Sequence, residues 1–266
     1  RNFTSAKLKR RMEEIESSIN RYLAALDAAD RQEPTASEPS AVRLEEKIAK
    51  LKTQMKELQA IEIQLNESPD KQVSLTDPDA RSMMTRGTGI VGYNVQTAVD
   101  TKNHLIVAHE VTNVGSDRDQ LSSMATQARE AMASDTLSVV ADRGYFKSEQ
   151  ILACHDAGIT AYVPKPMTSG AKADGRFNND AFIYDAAKNE YICPAGEALI
   201  WHYSYVEKGL KLHRYWSSKC QGCALKSQCT PSTERRVRRW EHEDVWEEMQ
   251  LRLSKAPEMM RVRKRT

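Results

Sequence analysis

Apolar positions return at three- and four-residue steps along the first part of the chain: Leu8, Met12, Ile15, Ile19, Tyr22, Leu23 and Leu26. This spacing predicts an amphipathic helix over residues 4–32, capped by Thr4 or Ser5. The run Pro34-Thr35-Ala36-Ser37-Glu38-Pro39-Ser40 breaks it. A second helix is predicted from Ala41 to Leu65, with Leu44, Ile48, Leu51, Met55, Leu58, Ile61 and Leu65 at near-heptad spacing. Two such helices joined by a short breaker are expected to fold back as an antiparallel hairpin. A packing or spacer arm and a protruding arm for dimerisation or DNA contact both fit this pattern. Amphipathic stripes more often simply bury themselves.

The texture changes near Asp77. Asp77-Pro78-Asp79-Ala80-Arg81 reads as loop. Tyr93 to Asp100 alternates like a strand, Asn103 marks a turn, and His104 to Val111 gives a second strand. Residues 117–132 read as a helix with Leu121, Met124, Ala125 and Ala128 on one side. Leu137 to Ala141 is a short apolar run, as for a buried central strand. Ser148 caps a further helix with Ile151, Leu152 and Cys154 inside, Gly158 stops it, and Ile159 to Pro164 is another strand. A hairpin that feeds a βαβ crossover predicts a mixed sheet flanked by helices, an α/β fold. After Pro164 the rhythm stops. Residues 165–190 are rich in Gly, Lys, Asp and Asn, as for a surface insertion.

Composition adds limits. The 266 residues suffice for one large domain or two small ones, and 40% of them are hydrophobic. A net charge of +2 does not by itself point to nucleic acid, but its distribution is uneven. Positive charge gathers in Arg235, Arg236, Arg238 and Arg239, and again in Arg261, Arg263, Lys264 and Arg265. No apolar run approaches the roughly 20 residues that span a bilayer, and no signal peptide is visible, so the expected setting is cytoplasmic with reduced thiols and no membrane partner. The chain starts without Met and stops within a basic run, and both ends read as cut points in a longer protein.

Asp142 is the leading candidate for chemistry. Ligands collect at the carboxyl ends of strands in open α/β sheets. A carboxylate held there suits hard divalent cations such as Mg²⁺. Spacing alone favours a residue that merely caps the turn before the next helix. Asp77, Asp79 and Asp117 lie in loops, where capping and turn roles are expected. Cys193, Cys220, Cys223 and Cys229 form C-x26-C-x2-C-x5-C. Four thiolates suit structural Zn²⁺, while reduced buried or redox-active thiols and, less readily in the cytosol, disulfides also fit. Cys154, on an apolar helical face, reads as a core residue. Around the cysteines stand His202, Tyr203, Tyr205, Lys208, Lys211, His213, Arg214, Tyr215 and Trp216. They make either a DNA-holding surface or an ordinary small β-module. The run Arg235 to Arg239, placed before a helix over Glu241–Arg252, is the better phosphate-contact candidate. Neither a P-loop nor a GxSxG motif occurs, and the six His residues lack HExxH spacing.

The block Val139-Val140-Ala141-Asp142-Arg143-Gly144-Tyr145-Phe146 resembles the second catalytic block of bacterial insertion-sequence transposases. These are the Asp-Asp-Glu (DDE) enzymes with a ribonuclease-H-like core, and the chain is most similar to the eleven-eighty-two group. Asn2-Phe3-Thr4, Asp77-Pro78-Asp79-Ala80-Arg81, Gly92-Tyr93-Asn94-Val95-Gln96, Val111-Thr112-Asn113, Tyr191-Ile192-Cys193-Pro194-Ala195-Gly196 and Arg261-Val262-Arg263-Lys264-Arg265 carry the resemblance along nearly the whole chain. It implies metal-dependent cutting and joining of DNA with two Mg²⁺ or Mn²⁺ ions, transposon ends and target DNA as partners, a homo-oligomeric enzyme and a nucleoid location. It also implies a triad of which only Asp142 is at hand. The first Asp would precede Arg1 and the Glu would follow Thr266, so these residues alone would be inactive. The implied layout is a helical hairpin arm over 1–68 and a partial ribonuclease-H-like core over 69–165. A cysteine-rich insertion, a zinc module, follows over 166–232, and a basic helical segment over 233–266 leads to the Glu helix. The alternative is a non-catalytic zinc-module protein for DNA binding or dimerisation.

Overall fold

A computed structural model describes residues 2–30, 38–85, 87–167, 170–171 and 173–265, without the side chains of 29–30, 38–40, 85 and 263–265. The chain divides into two compact units, Arg1–Val95 with Val111–Gly115, and Gln96–Glu110 with Ser116–Thr266.

In the first unit β1 (Asn2–Thr4) leads directly into α1 (Ser5–Asp30), and α2 (Glu38–Glu67) is followed by β2 (Gln72–Ser74). The apolar stripes of α1 and α2 meet. Leu8, Ile15, Leu58 and Leu65 are buried together, with Met12, Ile19, Leu51, Met55 and Ile61 around them. Burial of such side chains contributes roughly 1.5–3 kcal/mol each, which holds helices whose intervening faces are charged. Leu23 stays 41% exposed although it lies on the expected stripe. The second helix begins three residues before the expected Ala41. Pro39 sits in its first turn, where a missing N–H costs nothing. The breaker's Pro34 to Ser37 fall outside the described residues. β1 and β2 pair antiparallel, Phe3 opposite Val73.

β3 (Arg81–Thr85) and β4 (Thr88–Gly92) form an antiparallel hairpin that hydrophobic alternation does not announce. Its run Gly87-Thr88-Gly89-Ile90-Val91-Gly92 has the glycine spacing of a dinucleotide-binding turn. That turn needs a strand followed by a helix N-terminus, and here both flanks are strand, so no phosphate site arises. Asp77 caps its own turn, its carboxylate accepting from the Asp79 N–H and the Tyr93 hydroxyl.

The second unit holds the body of the hairpin β5 (Asn94–Val99) and β6 (Ile106–Thr112), then α3 (Leu121–Ala131), β7 (Leu137–Val140), α4 (Ser148–Asp156) and β8 (Ile159–Tyr162). α3 buries Leu121, Met124, Ala125 and Ala128, the face its spacing predicts. Lys147 rather than Ser148 stands at the N-cap of α4, without a side-chain cap. Gly158 ends that region at φ +70°, a conformation glycine adopts freely. β7 and β8 run parallel, Val139 opposite Ala161. The expected mixed sheet is present as two separate pairs, β5–β6 and β7–β8, which no ladder joins among the described residues. A cleft of about 610 Å³ lies between them, lined by Gln96, Val99, Val139, Asp142, Met259 and Val262.

Residues 183–240 form a five-stranded antiparallel meander: β9 (Ile183–Asp185), β10 (Glu190–Ile192), β11 (Ala198–Glu207), β12 (Leu210–Trp216) and β13 (Val237–Trp240). The short α5 (Lys226–Cys229) lies between its last two strands, and α6 (Glu243–Lys255) and α7 (Met259–Arg265) follow it. The sheet buries Phe182, Tyr191, Leu199, Tyr215 and Val237. β13 belongs to this sheet, so the boundary expected at residue 232 cuts through a strand-to-strand connection. α6 closes the α/β core. Its Met249 is fully buried against Phe146, Ile151, Cys154 and Val163, and Gln250 donates to the Val163 carbonyl at 2.8 Å.

Candidate active site and nucleic-acid interface

The chain leaves β7 at Val140, adds one more ladder bond from the Ala141 N–H to the Tyr162 carbonyl at 3.1 Å, and presents Asp142 immediately afterwards. Asp142 therefore stands at the carboxyl end of a parallel pair, on extended backbone (φ −82°, ψ 175°), at the rim of the cleft. Its Oδ1 accepts the Gly144 N–H at 2.7 Å, so it also caps the 3-10 turn Arg143–Tyr145. The two readings of this residue coexist in one geometry.

A side chain at Gly144 would displace the Asp142 carboxylate. A Cβ there would lie 2.8 Å from Asp142 Oδ1 and 3.8 Å from Asp117 Oδ2. The carboxylates of Asp117 and Asp142 thus approach the same point. Asp117 opens a 3-10 turn that Ser116 caps, and its own carboxylate turns inward, accepting from Gln96 Nε2 at 2.7 Å. Gln96 is 2% exposed and its carbonyl oxygen accepts the Tyr145 hydroxyl. Burial, and then the charges of Asp117 and Asp142, push the Tyr145 phenol up to about 12. It therefore remains a neutral donor at physiological pH. Asp117, expected to serve only its turn, is one end of a part-buried chain running Asp117–Gln96–Tyr145 beside Asp142.

Cys193, Cys220, Cys223 and Cys229 line one cavity of about 30 Å³ with Phe177 and Phe182. Burial raises the Cys229 thiol, Arg235 lowers it, and the three other thiols raise it further. Among the described residues no group of three or more His, Cys, Asp or Glu stands in an arrangement that holds a metal ion. Cys154 is fully buried on α4, and burial raises its thiol to about 11, so it is an inert core side chain.

The basic run does not act as a block, because a strand sends alternate side chains to opposite faces. Arg236 and Arg238 are exposed, whereas Val237 and Arg239 are buried. Arg239 grips the Glu247 carboxylate with two bonds of 2.8 and 2.7 Å, reaches the Tyr191 hydroxyl at 3.3 Å and lies 3.9 Å over the Tyr184 ring. Its guanidinium is spent inside the fold, which corrects the expectation that it meets phosphate. Arg235 is half-buried, donating to Asn179 at 2.8 Å and stacked over Phe182. Arg261 is exposed on α7, and the side chains of Arg263, Lys264 and Arg265 lie outside the described residues.

The model of the transposase DDE domain family matches residues 59–252, more than half of the chain. The chain belongs to that family. No curated protein and no solved structure matches it. The match to a transposase domain runs from the last third of α2 into α6, and so includes Asp142, its neighbours and the meander sheet. A transposase domain acts in DNA transposition, so DNA is its partner. No helix among the described residues is long and apolar enough to cross a membrane. Of the residues around Asp142, sequence reading misses Gln96 and Tyr145. The one signal for them was their place inside blocks that carry the family resemblance.

Proposed function

We propose that this transposase domain is the central stretch of an enzyme that cuts and joins DNA phosphodiester bonds with the help of two divalent cations, and that Asp142 is one of three carboxylates holding them. The observation that carries the reading is the placement of Asp142 just past β7 at the end of a parallel pair, half-exposed at the rim of a cleft. Oxygen of this kind fits Mg²⁺ or Mn²⁺. A bound divalent cation supplies charge stabilisation at the phosphodiester and a more acidic water. Asp142 contributes a rigid anionic ligand there, and Tyr145 and Gln96 hold the neighbouring Asp117 carboxylate in place.

The resemblance puts the first Asp on a strand before α1 and the Glu on a helix after α7. The cleft between β5 and β7 supports the first of these. Neither β5 nor β7 pairs across it among the described residues. Extended chain there would join the two pairs into one mixed, ribonuclease-H-like sheet with its end beside Asp142. On this reading the 266 residues alone do not cut DNA. The full-length enzyme is expected to nick transposon-end duplexes in Mg²⁺ and not in EDTA. Cleavage of equal rate in EDTA, or efficient cleavage by the 266 residues alone, contradicts the scheme.

We also propose that the four thiols hold a structural Zn²⁺. Their spacing and their convergence on one small cavity favour this over scattered core cysteines. Among the described residues the thiols form no such group as they stand, so binding requires their side chains to rearrange. Elemental analysis of the purified chain is expected to find one zinc per molecule, and less than half an equivalent counts against the site.

A further inference from the structure

One face of the meander sheet is left unused by the site around Asp142. Antiparallel register sets Tyr203 opposite Arg214, Tyr205 opposite Leu212, and Arg214 opposite Arg238, so these side chains share a face. A register shift between Trp201 and Tyr203 inserts His202 as an extra residue, and its ring stacks on Trp216 with centroids 3.3 Å apart and planes 4° from parallel. Tyr203 lies 6.0 Å from Trp216 and 5.9 Å from Tyr205. Arg236 covers Trp216 at 5.0 Å and Arg214 covers Tyr205 at 5.2 Å. The result is an unbroken row, Arg214–Tyr205–Tyr203–Trp216–Arg236, on a rigid sheet, with Tyr203 45% exposed.

We infer that this face binds unpaired DNA, stacking successive bases on Tyr203, Tyr205 and the His202–Trp216 pair while the arginines meet the phosphates. The inference rests on the transposase reading and extends it from duplex ends to single strands. Three physical points favour this occupant. Aromatic rings in a row on a sheet offer π-faces to flat groups, and every base has one, so sequence does not matter. Bases inside a duplex hide those faces, which selects unpaired DNA. Arginines stacked on aromatics keep N–H donors directed outward for phosphate oxygens. Glu207 and Glu234 accompany Arg238 and Arg236, at 3.8 and 2.7 Å, and are acceptors that phosphate displaces. The cationic excess is therefore small, so stacking rather than charge carries the binding and its salt dependence is shallow.

The test uses the 266-residue chain and a fluorescent oligothymidine of about 12 nucleotides, within the footprint of a single stacking platform, beside a duplex of equal length. Tyr203→Ala and Tyr205→Ala are each expected to weaken single-strand binding about tenfold, with duplex binding unchanged within about twofold. Melting curves establish that the variants fold. Independently, 4-thiothymidine in the oligonucleotide is expected to photo-crosslink the unaltered chain within residues 198–216. Equal losses on duplex and single strand, or crosslinks confined elsewhere, overturn the inference and leave the transposase reading intact. Loss of self-association with no single-strand binding assigns the face to a second copy and overturns it as well. Failure of the transposase reading shows separately, as Mg²⁺-independent cleavage by the full-length enzyme.

Discussion

Replacing Asp142 with Asn in the full-length transposase is expected to lower the rate of strand cleavage at transposon ends by at least about a thousandfold, with little change in melting temperature. The expectation separates the two roles that one geometry supports. As a cap, Asp142 uses Oδ1 to accept the Gly144 N–H at 2.7 Å. Asn offers the same carbonyl oxygen at the same place, and it ranks with Asp at such positions. A capping role therefore predicts near-normal behaviour. As a cation ligand, Asp142 supplies a full negative charge that Asn lacks. Metal-assisted stabilisation of a transferring phosphoryl group amounts to several kcal/mol, and each 1.36 kcal/mol is tenfold in rate. A rate reduced less than tenfold, in a variant that still melts normally, leaves Asp142 as a cap and nothing more. A second readout is independent of turnover. The Asp142 charge helps hold the Tyr145 phenol up near 12, after burial. In the Asn variant that phenol is expected to titrate lower, which ultraviolet difference spectra detect.

The second large effect concerns stability, and its direction depends on which partner is removed. Glu247→Ala leaves the Arg239 guanidinium, 7% exposed, without its carboxylate. Breaking a buried pair this way costs about 3–5 kcal/mol. The Glu247 side chain is itself 40% exposed, which moderates the pair, so we expect about 2–3 kcal/mol. A unit of this size then melts lower by roughly 5–10 °C. Arg239→Met leaves only a half-exposed carboxylate that water can solvate, and keeps apolar contact with the Tyr184 ring, so its cost is expected to be smaller, about 1 kcal/mol. Arg238→Gln is expected to leave stability unchanged, because that side chain is exposed and its contact with Glu207 is a loose 3.8 Å. If Arg238 meets phosphate, the same change flattens the salt dependence of duplex affinity by about one unit of slope. Thermal melts and salt titrations of the three variants check the ranking. Arg239→Met reducing the salt slope while stability stays level would return Arg239 to the DNA-contact set.

Much of the fold was legible from periodicity. The stripes of α1 and α2 and the buried face of α3 follow from apolar residues recurring at the helical period, and β7 follows from its short apolar run. Tertiary contact chose among equals on those stripes: Leu8 and Ile15 are covered and Leu23 is not. The β3–β4 hairpin escaped because its strands carry glycine and threonine where alternation would be read. β13 escaped for a different reason. Arg235 to Arg239 reads as one basic patch along the chain, and only pairing with β12 assigns alternate arginines to solvent and to the interior.

Chain order by itself determined that Asp142 follows a short apolar strand, that four cysteines recur at fixed intervals, and that the chain resembles a transposase DDE domain, because these are properties of neighbouring residues. Only the tertiary structure decided that Asp117, Gln96 and Tyr145 gather beside Asp142, that Arg239 serves a buried carboxylate, and that the tyrosines of β11 align with Trp216 of β12. Those assignments join residues as many as 49 positions apart, as Tyr145 and Gln96 are. Strand register and side-chain burial fix such meetings, and neither is written in local sequence.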